Sequence, residues 1–265
     1  MGLCMVALVW PPAAPAQAQR PTALLERVAA YVQGFVDDLT NVVAEEQYLQ
    51  QFRMAVERRR LKSDFLLVKY PGEKQTYLTF RDVMEVNGRP VGDQQQRVTR
   101  LFLEPFDSAI RRAGEIQAAS FLHSVPRGRL VDPLEAMSYL QVFYQRDFDF
   151  TIGGDARGRG NAVEINFSQR LPPGSNLIPL RGKVWVEERS GRVLKTELLS
   201  GARLNVRYTT TEFGMNPTLG IDVPIRLRDE VPVGAGDEFI GVAEYSNFRR
   251  FRVHAEQQVD VPAPK

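Results

Sequence analysis

From Tyr144 onward the sequence alternates apolar and polar residues with a period of two, which constrains the fold more than any other feature. Phe148, Phe150 and Ile152 alternate with Asp147, Asp149 and Thr151, and Val163, Ile165 and Phe167 alternate with Glu164, Asn166 and Ser168. Leu204, Val206 and Tyr208 then alternate with Asn205, Arg207 and Thr209, and residues 221 to 231 and 239 to 253 supply two more strands. Successive strand side chains point to opposite faces, so this pattern describes antiparallel strands covered on one face and solvated on the other. Parallel βαβ units would read as continuous apolar strands separated by helices. The apolar residues named here are expected on one buried face, with Asp149, Glu164 and Arg207 exposed.

Turn chemistry supports the same reading. Asn87-Gly88, between the β-type run from Tyr77 and Val91, tolerates the positive φ of a type I′ hairpin turn. Ser190-Gly191 centres a second hairpin from Lys183 to Leu199. The glycines of residues 153 to 160 join two strands, so they form a hairpin loop and not a phosphate cradle. Phe65 to Val68 reads as a further strand, preceded by a basic, irregular stretch around Arg58-Arg59-Arg60.

Helical periodicity occurs early and in the middle. Leu24, Leu25, Val28, Tyr31, Val32, Phe35 and Leu39 form one stripe between Thr22 and about Asn41, with Thr22 placed to cap the start. Val98, Leu101 and Phe102 form a short stripe, and Ala109, Ile110, Ala113 and Ile116 another beyond Pro105. Asp132-Pro133-Leu134-Glu135 opens a third helix, with an Asp cap, proline at the first helical position and Glu three residues after the cap. No linker divides the chain. The expected fold is α+β, a large curved antiparallel sheet in the form of an incomplete barrel with helices packed on its concave face, in one domain over residues 19–257 with a flexible tail at 258–265.

The N-terminus carries an address. Gly2 to Trp10 is apolar, and Ala16-Gln17-Ala18 has the small-x-small form of a signal-peptidase site, so residues 1–18 are expected to be removed. No Lys or Arg precedes the apolar run, which fits either a start codon placed too late or a weak n-region. The run is about half the 20 residues a membrane span needs. Cys4, the single cysteine, lies in the removed segment, and Gly2-Leu3 does not give the small residue expected just before a lipidated cysteine. The mature chain is therefore expected to have no transmembrane segment, no thiol and no disulfide. The expected location is the periplasm or the medium.

With 34 basic and 32 acidic residues, the chain lacks the cationic excess of a nucleic-acid binder. Its two histidines, His123 and His254, have no ligand spacing, so no metal or cofactor is expected. Asp37-Asp38, Glu45-Glu46 and Glu187-Glu188 are sequence neighbours; on a strand such pairs face opposite ways and cannot share a proton. Solvated faces are the expectation for all three, with Glu45-Glu46 placed at the end of the first helix. There is no nucleophile elbow, Walker loop or dinucleotide fingerprint. No catalytic, cofactor-binding or metal residue is assigned, the ligand-binding residues and oligomeric state are left open, and the chain is read as not an enzyme. Arg58-Arg59-Arg60, Arg111-Arg112, Arg157/Arg159 and Arg249-Arg250 are read as solubility charges, with contact to anionic headgroups as the alternative. One of Arg249 and Arg250 is expected to be paired internally.

Several pieces carry a resemblance. Gly182-Lys183-Val184-Trp185-Val186, the turn with Ser190 to Glu197, Leu204 to Tyr208, Val223-Pro224 and Tyr245 to Phe251, with Asn41 to Tyr48 and Phe80 to Val83, resemble a family of uncharacterised secreted bacterial proteins. The strand–turn–strand order is more distantly similar to the LolA/LolB-like lipoprotein-carrier superfamily. That resemblance implies an incomplete barrel around plug helices, supplied by residues 93 to 142, and a lipid or lipoprotein acyl chain as partner. The function implied is non-catalytic binding of a hydrophobic ligand. A structural or envelope scaffold is the alternative, and an enzyme of undetected type the second.

Overall fold

The computed structural model describes residues 22–40, 42–54, 58–69, 77–91, 106–125, 131–153, 162–175, 177–202, 205–234 and 236–250. The expected leader, the stripe at Val98 to Phe102, the loop at 154–160, Leu204, His254 and the expected tail lie outside the described residues.

One open, antiparallel sheet organises the chain. In spatial order it runs β4 (Arg89–Pro90), β3 (Tyr77–Val86), β2 (Arg58–Lys69), β1 (Val42–Phe52), β11 (Asp237–Arg250) and β10 (Ile221–Gly234). It continues through β9 (Asn205–Asn216), β8 (Val193–Ala202), β7 (Arg181–Glu187) and β6 (Ala162–Gln169) to β5 (Phe148–Ile152). The two ends, β4 and β5, do not pair, so the barrel is not closed. Strand twist accumulates over so many strands and curls the sheet. Arg58-Arg59-Arg60 is not irregular: it begins β2, paired with Leu49 to Gln51. The turn residues behave as their chemistry requires, with Asn87 at φ 52° and Gly88 at φ 76°.

Four helices accompany the sheet among the described residues: α1 (Thr22–Leu39), α2 (Phe106–Phe121), α3 (Glu135–Ser138) and α4 (Val142–Gln145). The stripe of α1 is buried in one apolar cluster with Phe148, Phe150, Ile165, Phe167, Val184 and Phe213 of the sheet. Each such aliphatic side chain stabilises by about 1.5–3 kcal/mol when fully buried. The sheet face carrying this cluster is here the α1 face.

α2 sits elsewhere than the resemblance implied. Its Ala113 and Ile116 pack on Val43, Leu66 and Phe80, which alternate with the buried Ala44, Phe65 and Arg81 of the α1 face. α2 also lies along the free side of β3, where Gln117 Oε1 accepts the Arg81 N–H (2.7 Å). Ser120 Oγ accepts the Val83 N–H (3.1 Å) and donates to the Arg81 carbonyl (2.9 Å).

Alternation assigned most faces, with corrections at Ile152, Val163, Glu164 and the register of β9. Phe148, Phe150, Ile165 and Phe167 are buried together and Asp149 is exposed, as expected, while Ile152 ends its strand exposed and Val163 is half-buried. In β9 the expected register is shifted by one: Tyr208 is 50% exposed, and Thr209, Thr211 and Phe213 face inward. Arg207 accordingly points to the α1 face, toward the buried Asp229 at 3.5 Å. Glu164 faces outward but is buried, shielded by Lys183 at 3.1 Å and by the close backbone of Gly153.

Candidate functional site

The α1 face is not uniformly apolar. Between the cluster under α1 and a second one built on Tyr48, Leu61, Phe65, Val83 and Leu227 runs a buried polar seam. Its centre is Arg81, 2% exposed, whose Nε donates to both carboxylate oxygens of the fully buried Glu46, at 2.7 and 2.9 Å. The guanidinium lies 5.1 Å from the Phe65 ring centroid. Burial works against its charge, Glu46 works for it, and the second prevails, so its pKa is raised. Strand alternation in β1 puts Ala44, Glu46, Tyr48 and Gln50 on this face. Glu46 is therefore neither on a helix nor on a solvated face. Its neighbour Glu45 does face outward, 3.2 Å from Lys62.

Arg81 also reaches across the face. Its Nη2 donates to the carbonyl of Val131, which begins a strap (residues 131–147) crossing the α1 face. Tyr77 of the same strand donates its hydroxyl to the Leu134 carbonyl (2.8 Å) and lies 2.7 Å from Ser138 Oγ. Asp132 Oδ1 accepts the Leu134 N–H at 2.8 Å, but the helix it was expected to open spans only four residues. Tight turns with i→i+3 bonds follow, from Leu140 to Met137 and from Gln141 to Ser138. Burial raises the carboxyl pKa of Asp132, and burial together with Asp132 raises that of Glu135. Under the strap lies an aromatic nest, with Tyr139–Phe148 centroids 5.0 Å apart and Phe148–Phe167 6.0 Å apart.

α1 is fastened mainly by apolar contact, with a polar clasp at its N-terminal half. Arg27 Nε donates to the Glu188 carbonyl (3.1 Å), and Tyr31 Oη donates to Asp222 (2.9 Å), which also pairs with Arg192 at 2.7 Å. Burial and Asp222 together raise the Tyr31 phenol. At the other end of α1, a void of about 10 Å³ lies between Leu39, Val42, Phe65, Leu67 and Phe248. Two larger clefts open on the opposite, outward face. One of about 630 Å³ lies over β5–β10, among Arg181, Lys183, Leu199, Tyr208 and Thr210. The other, of about 520 Å³, lies over β1–β3 beside Arg58, Arg60 and Lys62.

Of the residues weighed from sequence, His123 follows α2 with its carbonyl accepting from Arg59 (3.1 Å). Arg249 is the internally paired member of its pair, 2.7 Å from Asp64. No group of metal-ligating residues occurs among the described residues. Sequence reasoning missed the Arg81–Glu46 seam. Its available signal was a single charged residue among the inward positions of each strand, Glu46 between Ala44 and Tyr48 in β1 and Arg81 before Val83 in β3.

No family model matches the sequence, and no curated protein matches it. Solved structures do match. A LolA superfamily protein from Nitrosomonas europaea is 10% identical, covering 89% of this chain and 96% of that one, with a TM-score of 0.39. A DUF1329 family protein from Desulfovibrio piger is 14% identical over 87% and 93%, with a TM-score of 0.44. A Vibrio parahaemolyticus domain described as an outer membrane lipoprotein-sorting protein is 13% identical over 85% and 91%, with a TM-score of 0.37.

Proposed function

We propose that this chain is a non-catalytic protein of the bacterial envelope that holds an apolar chain, such as the acyl group of a lipid or lipoprotein. The ligand lies between the sheet and the layer formed by α1 and the strap. One observation carries this reading: that layer is separate from the sheet and rests on it mostly through non-directional apolar contact. An acyl chain offers the sheet the same kind of surface, so it can replace α1 or strap side chains at little cost in specific bonds. The few directional anchors, from Arg81, Tyr77, Arg27 and Tyr31, define one closed position to which the layer returns. Residues 1–18 act as the export signal in this reading, and the working compartment is the periplasm.

The test is displacement of a fluorescent fatty acid from the exported protein, over a series of chain lengths. Apolar burial contributes roughly 25 cal/mol per Å² before ordering costs, so affinity climbs with chain length. A flat series overturns the carrier reading. The filled state of the α1 face, with about 10 Å³ of void at Leu39, favours a scaffold as the second reading. A flat series would leave that one standing.

A further inference from the structure

We infer that one end of the sheet, at the tips of the β1–β2 and β10–β11 hairpins, is a docking surface for an anionic lipid bilayer. This stands on different residues from the acyl site and does not depend on it. Arg58, Arg60 and Lys62 alternate along β2 and so project together from the outward face, about 6.7 Å apart along the strand. They border the 520 Å³ cleft, whose wall includes Leu49 and Gly88. The carboxylates nearest this stripe both neighbour Lys62: Glu45 is its ion-pair partner at 3.2 Å, and Glu85 is opposite it in register. Among the described residues no carboxylate pairs with the exposed Arg58 and Arg60, whereas Arg53, Lys183, Lys195, Arg170 and Arg228 each have one.

The same end presents apolar side chains to solvent. Met54, 70% exposed, follows β1, and its N–H is held by Asp237 Oδ1 at 2.9 Å. That bond ties the first hairpin tip to the second, which carries exposed Val233. Among the described residues the acidic groups there are already engaged: Glu238 pairs with Arg53, and Asp237 accepts the N–H groups of Met54 and Glu238. Guanidinium groups without a carboxylate partner among the described residues, beside the exposed Met54 and Val233, suit a bilayer interface, where arginine meets phosphate and the apolar group enters the headgroup boundary.

The experiment is co-sedimentation of the full chain with vesicles of phosphatidylcholine, with and without phosphatidylglycerol. Wild type and variants are compared, so any contribution they share cancels. The expected result is binding that requires phosphatidylglycerol, weakens with added salt, and falls about thirtyfold in Arg58→Gln/Arg60→Gln. Met54→Ser lowers it severalfold, and Arg111→Gln, on α2 and paired with Glu115, leaves it unchanged. Circular dichroism of each variant confirms an unchanged fold. Equal binding to neutral vesicles, or unchanged binding by the double variant, overturns the inference. So does inorganic phosphate binding as tightly as the vesicles, which would make the cleft a small-anion site.

Discussion

Arg81 and Glu46 stand on β3 and β1, with β2 between them, and the Arg81 Nε–H is shared between the two Glu46 carboxylate oxygens at 2.7 and 2.9 Å with both residues buried. Removing one partner strands a charge that the interior cannot solvate, so Arg81→Met or Glu46→Leu alone should cost about 3–5 kcal/mol. The double variant Glu46→Leu/Arg81→Met should recover most of that loss in a urea titration. Because Arg81 also holds the Val131 carbonyl, the double variant should still be cut faster than wild type within the strap by limited proteolysis. Equal cleavage would show that Arg81 does not anchor the strap.

The turn glycine of the β7–β8 hairpin lies against α1. A Cβ on Gly191 would stand 2.5 Å from the Arg27 carbonyl carbon and 2.6 Å from the Val28 nitrogen, at a φ of +73°. Gly191→Ala is strained in its own backbone and pushes on the helix, so a loss of about 2 kcal/mol or more is expected. Gly220→Ala, also at positive φ (+67°) but with open space around it, should cost only about 1 kcal/mol. Thermal unfolding of the two variants separates the shared backbone effect from the collision with α1.

The strap should loosen as pH rises. Burial raises the folded pKa of Asp132 against the opposing Leu134 N–H, and burial does the same for Glu135. A carboxyl protonated more readily when folded contributes stability that is fully present below its ordinary value, about 3.9 for Asp. That contribution is lost as pH rises through the raised folded value. Asp132→Asn keeps an oxygen for the Leu134 N–H without the titration. The variant should therefore gain stability relative to wild type as pH climbs from 4 toward 7. A difference that stays constant across that range would remove Asp132 as the cause.

The β9 register gives a sharp contrast between near neighbours. Tyr208 is half exposed on the outward face, and Phe213 is buried beside Phe35, their rings 5.7 Å apart. Tyr208→Ser should change stability by no more than about 1 kcal/mol, whereas Phe213→Asp, an unpaired buried charge, should abolish folding. Soluble expression and urea midpoints read both.

Much of this fold could be read from residue order, and its failures have one cause. α1, the Asn87-Gly88 turn and most of the strands β5–β8 followed period and turn chemistry, because most of their inward positions are apolar. β1 and the start of β2 went unread because Glu46, Tyr48 and Gln50 of β1 and Ser63 of β2 face inward with their polar groups. Alternation of hydrophobicity cannot mark a strand whose buried side is itself polar. β9 was shifted for the same reason: Thr209 and Thr211 occupy the buried side, while Tyr208 and Val206 lie opposite. The pairing of Arg81 with Glu46 joins residues 35 apart in sequence, and no local pattern encodes which carboxylate a buried arginine meets.

β3 is almost the last strand of its sheet, and β4 pairs with it only at Glu85 and Val86. At Arg81 and Val83 on that margin, the side chains of Gln117 and Ser120 take the place a twelfth strand's backbone would fill. A helix can occupy this place only through side-chain chemistry, so it ends the sheet without offering a new edge to the next molecule. Self-propagating strand addition is thereby blocked at one amide and one hydroxyl. Gln117 and Ser120 act as guards against polymerisation, and weakening α2 would turn the β3 margin into a seed for fibres.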